Sequence, residues 1–434
     1  MGRNFFCLAL LITVFSCAAG PEVYRGIDAD AERGDYIGAL ASLKSSQAKK
    51  NIYTQKNAIL LNLDRGMLEH YAGMYEESSR DLEEGERRIE EAFTKSLSQA
   101  VGTYILNDNV REYSGEDYED IYINVFNALN YYHLNDLAGA MVEIRRVNEK
   151  LRVLADKYET ARKKILDSGN DLNAADYTTE AEKFSNSALA RFLGVLFYRS
   201  AGLYDDARID MEELKHAYEL FPAVYYNSPP SFLDGELSIP AGKARLNVLV
   251  FTGRSPVKQQ ADIMIPLPLK PPNNWARLAL PQMISRPSAI SSVELILDSG
   301  ERFSPELIED MSMVARETFK AKYSLTVLKS TVRTIMKSAA SAGIGAAIDE
   351  QAEGWGTLFS FVGKVFQEVS EQADIRQSRY FPARAYAGGI NVESGIYRVT
   401  VNFYGPGGLI ESLVRDNVVV RPGKLNLLEA VCLK

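Results

Sequence analysis

Gly73-Met74-Tyr75-Glu76-Glu77-Ser78 decides the reading of this chain, because it recurs. Gly34-Asp35-Tyr36-Ile37-Gly38-Ala39, Asn135-Asp136-Leu137-Ala138-Gly139-Ala140 and Gly202-Leu203-Tyr204-Asp205-Asp206-Ala207 share its build. Each is a turn residue, a bulky residue two places later, and a small residue three places after that. Glycine or asparagine tolerates the left-handed backbone that ends a helix. The bulky residue is expected to wedge between the paired helices, and the small one to let the second helix approach the first closely. Outward from the turns, apolar residues fall at helical spacing. Ile121, Val125, Ala128, Leu129 and Tyr132 form one face before the third turn, and Leu137, Ala140, Met141, Ile144 and Val147 form one face after it. Leu189, Phe192, Leu193, Leu196 and Phe197 do the same before the fourth. A helix with one apolar stripe needs a neighbour to cover it.

This pattern resembles the tetratricopeptide repeat, a helical hairpin of about 34 residues with a similar turn before its second helix. The turns at 34, 73, 135 and 202 are more widely and less evenly spaced than that, so extra helices are expected between copies. The resemblance implies an N-terminal tetratricopeptide-like α-solenoid over residues 29–222, each hairpin covered by the next.

The chain changes character near residue 222. A stretch rich in proline and glycine reads as a linker over residues 223–242. Residues 243–434 then show short alternating runs. Leu246, Val248 and Val250 alternate with Arg245 and Asn247; Ala261 to Leu267, Ser292 to Leu297, Tyr397 to Phe403, Val418 to Val420 and Leu425 to Val431 are further strands. Antiparallel strands joined by tight turns such as Gly405-Pro406-Gly407-Gly408 point to a β-sandwich-like domain. A helical insertion is expected at about 305–376. Its small-residue centre, Ser338 to Ile348, and the run Trp355 to Gly363 suit close helix packing, the alternatives being subunit or membrane contact. The fold class is thus α + β and multidomain.

The N-terminus sets the compartment. Arg3 precedes the apolar run Phe5 to Phe15, and Ser16-Cys17-Ala18-Ala19-Gly20 follows. A basic start, a short apolar core and a small-residue exit make a secretory signal. The run is shorter than the roughly 20 residues a spanning helix needs. Val14 and Ser16 before Cys17 resemble a bacterial lipobox, which implies a signal peptide over residues 1–16 and lipid attachment at Cys17, with residues 17–28 as the tether. The alternative is ordinary cleavage near Ala18-Ala19. Ala18 after the cysteine implies, by resemblance to enterobacterial sorting, a lipid-anchored protein of the outer membrane facing the periplasm. Of the three cysteines, Cys7 leaves with the signal and Cys17 carries lipid, so Cys432 has no intramolecular partner and no disulfide framework is available. With 49 basic against 57 acidic residues, a nucleic-acid partner is not expected.

Asn107-Asp108-Asn109 to Tyr113, Tyr118 to Tyr131, Gly139 to Arg146, Thr252 to Lys258, Ile265 to Pro268, Ala373-Asp374-Ile375-Arg376 and Ser394 to Val401 together resemble a family of uncharacterised bacterial lipoproteins with tetratricopeptide-like repeats. That resemblance brings no known reaction and no catalytic residues. Within these stretches Tyr113, Tyr118, Glu119, Arg145 and Arg146 are candidate protein-binding residues, since charges beside aromatics build binding anchors. The competing reading has Glu119 capping a helix and the arginines pairing with a neighbouring one. His70 and His216 are expected on helix surfaces or flanks. No HExxH, nucleophile elbow or phosphate-cradling glycine loop is present. The expected function is therefore a scaffold for envelope proteins, without catalytic, metal or cofactor sites. The alternative is a binder of cell wall or polysaccharide, through Tyr386, Phe403 and Tyr404 as an exposed platform.

Overall fold

The computed structural model describes residues 21–49, 52–98, 112–154, 184–266, 275–341 and 372–434. The signal segment, Cys17, residues 107–111, most of the small-residue run from Ser338 and the run from Trp355 lie outside the described residues. The protein is mixed α + β.

The four recurring turns each close a helical hairpin. The helices are α1 (Arg25–Glu32) and α2 (Tyr36–Ala48), α3 (Ala58–Tyr71) and α4 (Tyr75–Ser98), α5 (Asp117–His133) and α6 (Leu137–Leu154), and α7 (Ala188–Ser200) and α8 (Tyr204–Leu220). Gly34, Gly73, Asn135 and Gly202 have φ of 74°, 76°, 63° and 76°. At each turn this residue donates its N–H to the carbonyl three back, and the next residue donates to the carbonyl five back, as in Gly73 to His70 and Met74 to Glu69. This is a Schellman closure, repeated four times. Two of the second helices start on side-chain caps: Asp35 Oδ1 accepts from Gly38 N at 2.9 Å and Asp136 Oδ1 from Gly139 N at 2.8 Å.

The small residues Ala39, Ser78, Ala140 and Ala207 are wholly buried. A Cβ on Gly66 would meet Leu82 at 2.9 Å, so α3 and α4 touch where glycine permits. The bulky residues do something other than wedge between their own pair. Tyr36 packs on Tyr71 of the next hairpin with ring centroids 5.3 Å apart, and Tyr75 stacks on His133 of the one after at 4.2 Å. Tyr71 and His133 each stand two places before their turn. At these two junctions the bulky residue therefore registers one hairpin on the next.

The strands are β1 (Ala244–Thr252), β2 (Val257–Pro266), β3 (Trp275–Ile284), β4 (Ser292–Leu297), β5 (Arg302–Phe303), β6 (Glu306–Glu309), β7 (Arg384–Val392), β8 (Gly395–Gly405), β9 (Gly408–Val420) and β10 (Asn426–Cys432). One sheet has the order β10-β1-β7-β6, a second β5-β4-β8-β9, and β2 and β3 form a hairpin of their own. The two four-stranded sheets enclose one core, with Leu246, Val248 and Val250 facing Val293, Leu295, Val399 and Val401. Most strand pairs are antiparallel as expected, but β1 and β10 run parallel, Leu246 opposite Asn426. The last strand returns to the first, across the whole β half.

Expectation and structure part at the junctions. Arg245 and Asn247 alternate with apolar residues, which reads as a strand, and strand it is. Yet every residue of β1 is buried, because the helices cover its second face. Leu249 and Phe251 of β1, Ala385 and Ala387 of β7 and Leu427 of β10 join the helical core, with Phe126 and Phe251 rings 5.0 Å apart. Residues 223–242 are not a free linker: Val224, Tyr225, Leu233 and Glu236 are buried in the joint. Nor are residues 21–28, expected as part of a tether, without structure. Residues 21–24 form a 3₁₀ turn, α1 follows, and Asp28 is ion-paired to Arg379 at 2.5 Å. The expected insertion begins with a strand, since β6 lies inside it, and the helix α9 (Met311–Ser341) follows. Cys432 is buried as a free thiol. Among the described residues no helix is long and apolar enough to cross a membrane.

Candidate functional site

The seam between the helices and the first sheet holds several buried charged groups. It also gathers three of the stretches singled out in sequence: Tyr113 to Glu119, Thr252 to Lys258 and Ala373 to Arg376. Glu119 enters from the first turn of α5 and Asp64 from the middle of α3. Between them runs a belt of chain, residues 377–379, leading into β7.

Glu119 Oε1 accepts from Ser378 N at 2.6 Å, while Oε2 accepts from Tyr113 Oη at 2.6 Å and from Glu116 N at 2.8 Å. The last contact is half of a capping box at the start of α5. Asp64 Oδ1 accepts from Ser378 Oγ at 2.7 Å and from Arg379 N at 2.8 Å, and Oδ2 accepts from Tyr53 Oη at 2.9 Å. Tyr118 Oη accepts from Gln377 Nε2 at 2.7 Å. Glu116 Oε1 lies 2.6 Å from Lys258 Nζ and 3.0 Å from Lys322 Nζ. The Arg376 guanidinium stands 5.6 Å from the Tyr113 ring centroid and pairs with Asp374 at 2.7 Å.

Burial sets the electrostatics. It pushes Glu119 up to about 7, with the neighbouring Glu116 charge adding to it. It pushes Asp64 up to about 6 against the hydrogen bonds it accepts. Glu116 is equally buried, but Lys258 and Lys322 overcome that and hold it below the usual carboxylate range.

Three further carboxylates bridge the halves. Glu309 of β6 accepts from Tyr122 Oη and Tyr225 Oη, both at 2.6 Å, and from Ser187 Oγ at 2.9 Å, where Ser187 caps α7. Glu236 sits between Arg199 of α7 at 2.5 Å and Arg245 of β1 at 2.7 Å, and Asn247 donates to it at 2.9 Å. A Cβ on Gly389 would meet Glu236 Oε1 at 2.6 Å, so glycine makes room for this pair. Glu429 of β10 lies between His70 Nε2 at 2.7 Å and His133 Nε2 at 3.0 Å.

Of the candidate residues, Tyr113, Tyr118 and Glu119 are brought together, but inside the joint rather than on an open surface. Their hydrogen-bonding groups are occupied by the belt and by each other. Arg145 and Arg146 lie elsewhere, on α6. Arg145 is exposed, with Nε 3.3 Å from Tyr198 Oη. Arg146 pairs with Glu86 at 2.6 Å and Glu143 at 3.1 Å. His216 is exposed as expected, whereas His70 is buried. Tyr386 and Phe403 belong to the core between the sheets, and Tyr404 Oη bonds Glu294 at 3.1 Å, so these three do not form an exposed platform. Glu309, Glu236 and Glu429 escaped sequence reasoning. Their partners stand on other elements: Glu309 bonds Tyr122, 187 residues away, Glu429 bonds His70, 359 away, and Glu236 bonds Arg199, 37 away. Among the described residues no group of three His, Cys, Asp or Glu is placed to hold a metal ion.

No protein-family model matches the chain, and no curated protein or solved structure is significantly similar to it.

Proposed function

We propose that the protein is a lipid-tethered scaffold of the bacterial cell envelope. In this reading it is anchored through Cys17 at the outer membrane, faces the periplasm and holds a protein partner. The helices act as a tetratricopeptide-like solenoid, and the two sheets as a β-sandwich-like docking module. The buried joint supports this reading: carboxylates tied to both halves make one stiff body, which suits holding a partner in place.

The observation that carries the proposal is the register of the hairpins. Tyr36 seats on Tyr71, and Tyr75 on His133. Leu137 and Ser200 occupy the same positions at the third junction. Tyr204 occupies the fourth, where the array ends, and its side chain is 62% exposed. Ile209 and Leu220 on α8 are also exposed. Solenoid ends normally carry a polar outer face. An aromatic residue left open beside aliphatic ones at such an end fits a surface that another helical element continues.

A photoreactive residue at position 204, in cells carrying the intact envelope, tests this. The expected result is a crosslink to a protein other than a second copy, absent when the probe stands at exposed Lys424. Absence of a protein adduct at 204 would sink the scaffold reading. Palmitate labelling that survives Cys17→Ala would separately remove the lipid anchor.

A further inference from the structure

Three arginines meet beneath α1, drawn from three separate parts of the β half. Arg254 follows β1, Arg286 follows β3, and Arg379 lies in the belt before β7. Arg379 forks Asp28, with Nη2 2.5 Å from Oδ2 and Nε 3.3 Å from Oδ1, and covers the Tyr24 ring at 4.3 Å. Arg254 pairs through Nη2 with Glu32, and its Nη1 lies 3.3 Å from Asp28 Oδ1. Tyr380 Oη also donates to Asp28 Oδ1, at 3.1 Å.

Arg286 is the odd member. It has no carboxylate of its own. Its Nε donates to Ser255 O at 2.7 Å and its Nη2 to Arg379 O. Its Nη1 is buried without an acceptor, and Arg254 Nη1 is buried without a hydrogen bond. Burial beside the like charges of Arg254 and Arg379 pushes Arg286 down to about 9. Three cations thus share Asp28 and a Glu32 side chain that is 43% exposed, with Asp64 near Arg379 alone. A buried guanidinium without a counter-charge, and a buried N–H without an acceptor, are both costly. An anion supplied from outside would relieve both.

We propose that Arg254, Arg286 and Arg379 form a binding site for a phosphate group, whose oxygens take the Nη1 donors of Arg254 and Arg286 that make no hydrogen bond. Guanidinium forks match phosphate oxygens. Donors arriving from three chain segments suit a tetrahedral oxyanion better than a planar carboxylate. The Arg254 and Arg379 side chains keep 14% and 13% of their surface exposed, so the group enters past Glu32. Two sources share this chemistry: a small soluble phosphate and a phospholipid headgroup. The headgroup arm rests on the lipid-anchor reading, because α1 begins only a few residues beyond Cys17. The soluble arm does not depend on it.

The test titrates sodium phosphate into the full chain by calorimetry, with chloride balancing ionic strength. In parallel, the chain is floated with phosphatidylcholine vesicles with and without phosphatidylglycerol. Saturable phosphate binding that Arg286→Gln weakens about tenfold or more, as loss of a charge-assisted hydrogen bond implies, supports the site with a soluble ligand. Binding only to phosphatidylglycerol vesicles, lost in the same variant, supports it with a headgroup. If Arg286→Gln does not fold by circular dichroism, Arg254→Gln is read on the same criterion. No saturable binding in either arm, or binding that the variants leave unchanged, overturns the proposal.

Discussion

His70 Nε2 on α3 lies 2.7 Å from Glu429 Oε1 on β10, joining positions 359 residues apart. The other ring nitrogen, Nδ1, lies 2.6 Å from Asn130 Oδ1, while Asn130 Nδ2 donates to Ser78 Oγ at 2.9 Å. Both nitrogens therefore face oxygen acceptors, which suits an imidazolium. Burial opposes that charge, but Glu429 outweighs it and raises the His70 pKa. Burial likewise opposes ionisation of Glu429, and the two histidines hold it far below the usual range. A raised histidine contributes stability that is complete below its unfolded pKa of about 6.5 and is lost as pH rises through the folded value. A depressed glutamate contributes above its unfolded pKa of about 4.3 and loses it as pH falls further. The pair is therefore strongest between about pH 4.3 and 6.5. Glu429→Gln is expected to cost roughly 3 kcal/mol in urea unfolding at pH 6, since it leaves a buried charge unpaired. The cost should shrink toward pH 9. Equal costs at both pH values would show that the pair is not ionic.

The belt clamp has the opposite kind of acid. Glu119 and Asp64 are raised, to about 7 and about 6. In the unfolded chain both ionise near pH 4. Between about pH 4 and 7 the native state therefore binds more protons than the unfolded state, and stability falls as pH rises across that window. Glu119→Gln keeps one acceptor oxygen, enough for either the Ser378 or the Glu116 amide but not both, and removes the titration. Its unfolding free energy should decline less between pH 5 and pH 7.5 than that of the unaltered chain. Parallel declines would place the proton elsewhere.

Local features were the legible ones. The four turns are visible because a left-handed residue, a bulky residue and a small residue recur at fixed offsets, and each offset answers a backbone or packing demand within one hairpin. Strands such as Tyr397 to Phe403 are visible because alternation is local too. What sequence reading missed is long-range. Arg245 and Asn247 mark a strand, but alternation reports that two faces differ, not that both are covered. Glu119 was legible as a helix-start acid, but its hold on Ser378 lies 259 residues away. The parallel return of β10 to β1 leaves no mark on either strand, and the burial of His70 depends on Phe126, Asn130 and Glu429, which reach it from other elements.

The register of the hairpins makes a comparison that one residue type can decide. Tyr75 and Tyr204 stand at the same position of their repeats, two places after the turn. Tyr75 is half-buried and stacks on His133 with rings 8° from parallel. Tyr204 is exposed, and no ring contact is made by it among the described residues. Tyr75→Ala should therefore cost roughly 2 kcal/mol, from lost apolar burial and the stacked ring. Tyr204→Ala should stay within about 0.5 kcal/mol, as exposed substitutions usually do. Ala207→Leu, at the buried small position of the same hairpin, should cost about 1–3 kcal/mol by overpacking. Urea unfolding of the three variants at one pH measures this directly. A Tyr204→Ala cost matching that of Tyr75→Ala would mean that the fourth position is already filled within the chain, and the open end would cease to be a place for a partner.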